Sequence, residues 1–222
     1  MDNPYHSYLF FNVLNAYYQQ SEATKNKQKQ TFQKLLEKQK QLHVTTYSTL
    51  GLKPNTTFML WVQVSDPSQI QTLLRDILGT ELGQWVTLTY SYFGAIRKST
   101  YSGRTGKPEQ EIRQYANRMK YLIVYPFTKT TDWYQLDFEN RKSIMGQHIK
   151  TGVAHPDIRQ CLLYSYGIDD YEFVVSYETQ TLEEFQELIM EMRSTIGRKY
   201  TLTDTPTFTC VYKPLAELIE WL

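Results

Sequence analysis

Cysteine is scarce in this chain of 222 residues: Cys161 and Cys210 are the only two, and neither belongs to a CxxC pair or a Cys/His cluster with metal-ligand spacing. That excludes a disulfide-framed secreted domain and a thiolate zinc site, and leaves two reduced core thiols of the kind expected in cytosol. An excess of one charge is also missing. Lys and Arg total 24 against 23 Asp and Glu, for a formal net charge of +1 and a pI of about 7.7. No global field therefore favours nucleic acid or an anionic membrane, and any anion binding has to be local. Long hydrophobic runs are lacking too. No stretch reaches the roughly 18 uncharged apolar residues of a membrane span, and Met1-Asp2-Asn3-Pro4-Tyr5-His6 has neither the basic nor the apolar part of a signal peptide. The expectation is a soluble, cytoplasmic protein with no nucleic-acid partner and no membrane span. No metalloprotease, dinucleotide-binding or Ser-His-Asp pattern is present. Gly103-Arg104-Thr105-Gly106-Lys107 shares residue types with a phosphate loop but has the wrong spacing and the wrong flanking elements.

What the chain has in quantity is aromatic: 18 Tyr, 10 Phe and 4 Trp. Such residues fit pleated, half-buried surfaces, which favours a β-rich fold. The length allows one large domain or two of about 100 residues, each able to bury a core.

The periodicities repeat. Tyr8 to Tyr18 reads as a strand, Ser21 to Leu42 as a helix with Phe32, Leu35 and Leu36 on one face, Val44 to Leu50 and Thr57 to Val64 as strands joined by a Gly51–Asn55 turn. Asp66 to Leu82 reads as a helix, and Trp85 to Tyr101 contains a strand. After a polar stretch from Ser102 to Asn117 the order recurs. Lys120 to Phe127 is a strand, Asp137 to Thr151 a helix, and Ile158 to Tyr166 and Tyr171 to Glu178 are strands around the turn Gly167-Ile168-Asp169-Asp170. A helix opened by the capping box Thr181-Leu182-Glu183-Glu184 and stopped by Gly197 follows, with a last strand inside Thr205 to Tyr212. Two βαββαβ halves make an α+β protein of two tandem ferredoxin-like halves, forming a dimeric α+β barrel-type domain pair. The expected division is residues 1–105, a connecting segment 106–117, and 118–222 as the half that carries the site.

The lysines at 25, 27, 29, 34, 38 and 40, interleaved with glutamines, form a solvated helix face. The group Arg97, Lys98, Arg104, Lys107, Arg113, Arg118 and Lys120 lies beside the inter-half connection. It is either a solvated linker or a clamp for an anionic ligand, since arginine offers a carboxylate two parallel charge-assisted bonds. His148 sits four residues after Ile144 and three after Met145, on the apolar face of a helix that Asp137 caps and Gly152 ends. A histidine there either fills the core or binds a metal.

Taken in order, Tyr125-Pro126-Phe127-Thr128-Lys129, Asp132-Trp133-Tyr134, Arg141 through Met145 to His148, Gly167-Ile168-Asp169-Asp170-Tyr171-Glu172-Phe173, Glu191-Met192-Arg193 and Asp204-Thr205-Pro206-Thr207-Phe208-Thr209 resemble the chlorite dismutase family, whose members include coproheme decarboxylases. The likeness is densest from about Tyr121 to Cys210 and looser over Gly51 to Tyr101.

The resemblance implies haem bound in the second half, a pentameric ring, and His148 as the proximal iron ligand. It implies peroxide-dependent oxidative decarboxylation of iron coproporphyrin III to haem b within haem biosynthesis, the porphyrin being substrate and redox cofactor together. Tyr125 then carries a radical to a propionate, Lys129 and Arg193 orient propionates, and Trp133 packs at the porphyrin edge. The position separating the chemistries, seven before the glycine of Gly167-Ile168-Asp169-Asp170, is Gln160, where chlorite-degrading relatives have arginine. Its neighbour Arg159 is an arginine, and a shift of one in a strand exchanges their facing. Phe127 and Arg198 depart from the decarboxylase pattern of methionine and serine. The alternatives are chlorite decomposition to chloride and oxygen, and haem binding without catalysis.

Overall fold

The computed structural model describes residues 3–98, 101 and 111–222. Arg104, Lys107 and the glycine-containing run they belong to lie outside those residues. The contacts divide the chain into two units, Met1–Ala95 with Cys210–Leu222, and Ile96–Thr209.

The first unit opens with β1 (Tyr5–Val13), α1 (Glu22–Glu37), β2 (His43–Ser48), β3 (Phe58–Val64), α2 (Ser68–Leu78) and β4 (Val86–Ala95). Antiparallel pairing sets β1 between β3 and β4, with β2 on the far side of β3. This is the strand arrangement of a ferredoxin-like unit. The strand expected over Tyr8 to Tyr18 ends at Val13, and Asn15–Gln19 forms a tight 3-10 turn instead. Ser21 caps α1, accepting from the Thr24 amide at 3.2 Å. That helix ends at Glu37, five residues short of the expected Leu42.

Alternation along β1 and β3 sends Leu9, Phe11, Phe58, Leu60 and Val62 to the helix side, where Phe32 and Leu36 of α1 and Leu73 and Ile77 of α2 close over them. The Phe58 ring stacks on Phe11 at 5.0 Å and meets Phe32 edge-on at 6.0 Å. β3 is buried on both faces, so it reads as a continuous apolar run rather than an alternating one. Two elements close the chain: β9 (Phe208–Tyr212), of which Tyr212 and Val211 pair with β2, and α6 (Leu215–Trp221), which supplies Leu218 and Ile219 to the core. From Cys210 on, this last strand counts with the first unit, whereas the sequence division ran the second half to its end.

The second unit holds β5 (Tyr121–Lys129), α3 (Thr131–Gln135), α4 (Phe138–Val153), β6 (Arg159–Tyr164), β7 (Phe173–Thr179), α5 (Leu182–Ser194) and β8 (Thr201–Thr203). β7 lies between β5 and β6, and β8 pairs with the end of β5, all antiparallel. Asp137 caps α4 as expected, accepting from the Asn140 amide at 2.8 Å, and α4 runs one residue past Gly152. The capping box at Thr181 does not form. The Thr181 side chain makes no cap bond, and its amide is instead taken by the Thr179 hydroxyl at 3.3 Å. α5 stops at Ser194, before Gly197, which falls within a 3-10 turn. Gly167 adopts φ +68 in the β6–β7 turn, a conformation glycine enters without Cβ strain.

Both thiols are free and buried. Among the described residues no helix is long and apolar enough to cross a membrane.

Because Phe58 is fully buried in two ring contacts, Phe58→Ala is expected to lower the stability of the full chain by about 3–5 kcal/mol. Urea unfolding followed by far-UV circular dichroism measures this; a loss below about 1 kcal/mol removes that aromatic cluster from the centre of the core.

Candidate active-site cavity

The pleat of the second unit's sheet sorts its residues into two sets. Tyr125, Phe127 and Lys129 of β5, Leu162 and Tyr164 of β6, and Phe173, Val175 and Tyr177 of β7 share one face and line a cavity of about 410 Å³. The roof comes from α4 through Met145 and His148, and from α5 through Phe185, Ile189, Met192 and Arg193. Cross-strand pairs tile the floor: Phe127 stacks on Phe173 at 4.6 Å, and Phe173 meets Tyr164 at 5.3 Å. The apolar lining is therefore flat and aromatic on the sheet side.

The chain has four histidines, and the structure separates their roles. His43 is exposed at the start of β2. His6 is buried and held at both ring nitrogens, by the Trp61 indole N–H at 3.3 Å and by the Asn3 carbonyl at 3.2 Å. His155 pairs with Glu191 at 3.3 Å. Only His148 lines this cavity, and its ring has no hydrogen-bond partner among the described residues. Burial, helped by the nearby Lys129 ammonium, lowers its pKa to about 4. The imidazole is thus neutral at physiological pH, the form in which a histidine donates to a metal. No group of three or more His, Cys, Asp or Glu side chains gathers among the described residues. A metal held here would need its remaining ligands from elsewhere, as a macrocycle provides.

Cations ring the rest of the cavity. Burial lowers the Lys129 pKa to about 8, and Arg198 pushes it the same way while Glu172 opposes. The Lys129 ammonium lies 4.9 Å above the Trp133 ring. Arg193 and Arg198 both reach one carboxylate oxygen of Asp204, at 3.1 Å and 2.6 Å. Three cations against that one lining acid suit a ligand bearing several carboxylates.

Tyr125 stacks on Tyr177 at 6.1 Å with 24° between the rings. Burial raises both phenols, that of Tyr125 furthest. Near the rim, the Tyr134 and Tyr166 hydroxyls meet at 2.7 Å.

Of the residues singled out from sequence, Tyr125, Lys129, Trp133, His148 and Arg193 come together as cavity lining. Gln160 is not in the lining set. It pairs directly with Tyr177 across the ladder and so shares the cavity-side face. Arg159 points the other way. Its guanidinium lies 3.6 Å from the fully buried Glu178 and stacks 3.5 Å over the Tyr115 ring. Glu178 also takes Arg118 at 3.4 Å, so that member of the basic group is neither a solvated linker residue nor free to clamp a ligand, but committed to an internal acid. Arg113 likewise pairs with Glu111 at 3.1 Å. Tyr177, Tyr164, Tyr166 and Phe173 were not among the sequence candidates for the site; their odd–even spacing with Tyr125 and Leu162 is the signal that finds them.

Comparison with known proteins points to one family. The family model for chlorite dismutase matches residues 25–213. A coproheme decarboxylase from Mycolicibacterium smegmatis is 25% identical over 164 residues, 73% of this chain and 70% of that protein. A chlorite dismutase from Ideonella dechloratans is 26% identical over 196 residues, 85% of this chain and 69% of that one. A crystallised variant of the chlorite dismutase of Candidatus Nitrospira defluvii superposes with a TM-score of 0.90 at 23% identity, covering 99% of this chain and 95% of that one.

A histidine whose neutral form is favoured by burial binds its proton only well below pH 6.5, the unfolded-chain value. Between about 6.5 and about 4 the unfolded chain holds the extra proton, so stability falls as pH drops through that window. In the ligand-free protein the His148 ring proton resonance is expected to titrate near pH 4; a midpoint between 6 and 7 refutes the burial argument.

Proposed function

This chain belongs to the chlorite dismutase family, whose members compared above include haem-chemistry enzymes, and we propose that it catalyses peroxide-dependent oxidative decarboxylation of iron coproporphyrin III to haem b. The observation that carries this choice is the facing of β6. Arg159 is drawn to Glu178 and Tyr115 on the side away from the cavity, while Gln160 shares the cavity face. A site for chlorite would need the arginine on the opposite side.

The residues fit the porphyrin. His148 offers a neutral nitrogen without a competing partner, the sheet floor gives a flat aromatic surface, and Lys129, Arg193 and Arg198 supply cations for its carboxylates. When bound, the iron supplies the redox centre at which peroxide becomes an oxidant strong enough to oxidise a phenol. The chain does the rest. Lys129, held over Trp133, places a propionate by charge. Trp133 itself packs against the ligand edge.

Tyr125 loses its electron and proton together, because a phenol cation or an isolated phenolate is costly in a desolvated cavity. The resulting phenoxyl takes a hydrogen atom from the propionate β-carbon and becomes a phenol again. Loss of a second electron from that carbon frees the carboxyl as carbon dioxide and leaves a vinyl group. Each round consumes one peroxide and one proton and yields carbon dioxide and two waters. The proposed role of Gln160 is to hydrogen-bond peroxide without adding charge.

Purified protein mixed with iron coproporphyrin III and hydrogen peroxide is expected to give mass losses matching two successive decarboxylations. Tyr125→Phe is expected to slow this at least about 100-fold, in keeping with the loss of a positioned proton-transferring group. Full activity in that variant refutes the mechanism, and oxygen release from chlorite in place of decarboxylation would move the reading to the other family activity.

A further inference from the structure

Tyr177 is not needed by the scheme above, yet it is built into the same cavity. Its side chain is 6% exposed, and Phe185 braces the ring at 5.3 Å. Antiparallel pairing of β5 with β7 sets Tyr125 opposite Val175, so Tyr177 is the diagonal neighbour on the cavity face. That diagonal brings the rings to 6.1 Å and nearly parallel. Nearly parallel rings leaving the same sheet face carry their hydroxyls in the same direction, and each phenol shifts the other's titration. A buried phenol could pack against any apolar side chain; here its ring stacks on the one side chain that the proposed chemistry oxidises.

We infer that Tyr177 is a second redox-active phenol, forming with Tyr125 a dyad over which a single oxidising equivalent is shared. The inference rests on the functional reading given above. The step is a hydrogen-atom exchange: the O–H bond of Tyr177 breaks, that of Tyr125 forms, and the unpaired electron moves from the Tyr125 oxygen to the Tyr177 oxygen. Peroxide remains the only oxidant. Both partners are phenols, so the exchange is close to thermoneutral, and because proton and electron travel together no charge appears in the desolvated site. The dyad holds the equivalent on a ring closed off from solvent until a propionate is in place against Tyr125.

The test uses the full chain loaded with iron coproporphyrin III, mixed with hydrogen peroxide, freeze-quenched and examined by electron paramagnetic resonance. Wild-type protein is expected to show two overlapping phenoxyl signals, because the two rings are tilted by 24° and packed against different neighbours. Tyr177→Phe keeps the stacked ring and removes only the O–H; it is expected to lose one of the two signals. A wild-type signal with one component that Tyr177→Phe leaves unchanged, together with lost decarboxylation in Tyr125→Phe, overturns the dyad and leaves the function standing. Full decarboxylation by Tyr125→Phe, or none by the wild type, overturns the functional reading and the dyad with it.

Discussion

Successive residues of a strand point to opposite faces, and in the second unit this single constraint decides which side chains the cavity holds. β5, β6 and β7 each give one set of side chains to the cavity and the other to a closed layer containing Leu122, Val124, Cys161, Leu163, Val174 and Glu178. Tyr125, Lys129 and Tyr177 are functional candidates because they fall on the odd positions of β5 and β7. Arg159 is removed from the site for the same reason, although it adjoins Gln160 in sequence. The ladder fixes this facing across three strands at once, so no single side chain can change sides without carrying its neighbours along.

Desolvation then sets what those side chains can do. The same burial lowers His148 and Lys129 and raises Tyr125 and Tyr177, which favours the neutral form in every case. A neutral imidazole is a donor for a metal, and a neutral phenol in a desolvated site is suited to losing a hydrogen atom rather than a proton. Arg193 and Arg198 keep their charge and share Asp204. The cavity therefore separates into a neutral interior and a cationic part, matching a molecule that is apolar at its centre and carboxylated at its edge.

The double βαββαβ order was legible in the sequence because its periodicities are long and its turns carry glycine, as at Gly51 and Gly167. The Asp137 cap was legible too, since an aspartate immediately before a helical run has one common use. What escaped was decided by tertiary context. Thr181 has the composition of a capping box, but Thr179 at the end of β7 reaches its amide first. α6, seven residues long, carries too few turns to show a period. The choice between Arg159 and Gln160 needed the strand's facing, which a count along the chain supplies only once a paired strand is known. Tyr177 was hidden among 18 tyrosines and stands out only when the diagonal to Tyr125 is drawn.

Glu178 lies fully buried with an arginine from either side, Arg159 on β6 and Arg118 just ahead of β5. Removing Glu178 would strand two arginine charges in the protein interior, at a cost larger than either pair's own net contribution. The carboxylate at 178 thereby holds Arg159 to the far side of the sheet, while position 160, on the cavity face, stays outside that charge layer. An electrostatic contact behind the sheet thus guards the facing of one residue and leaves its neighbour in sequence free to vary.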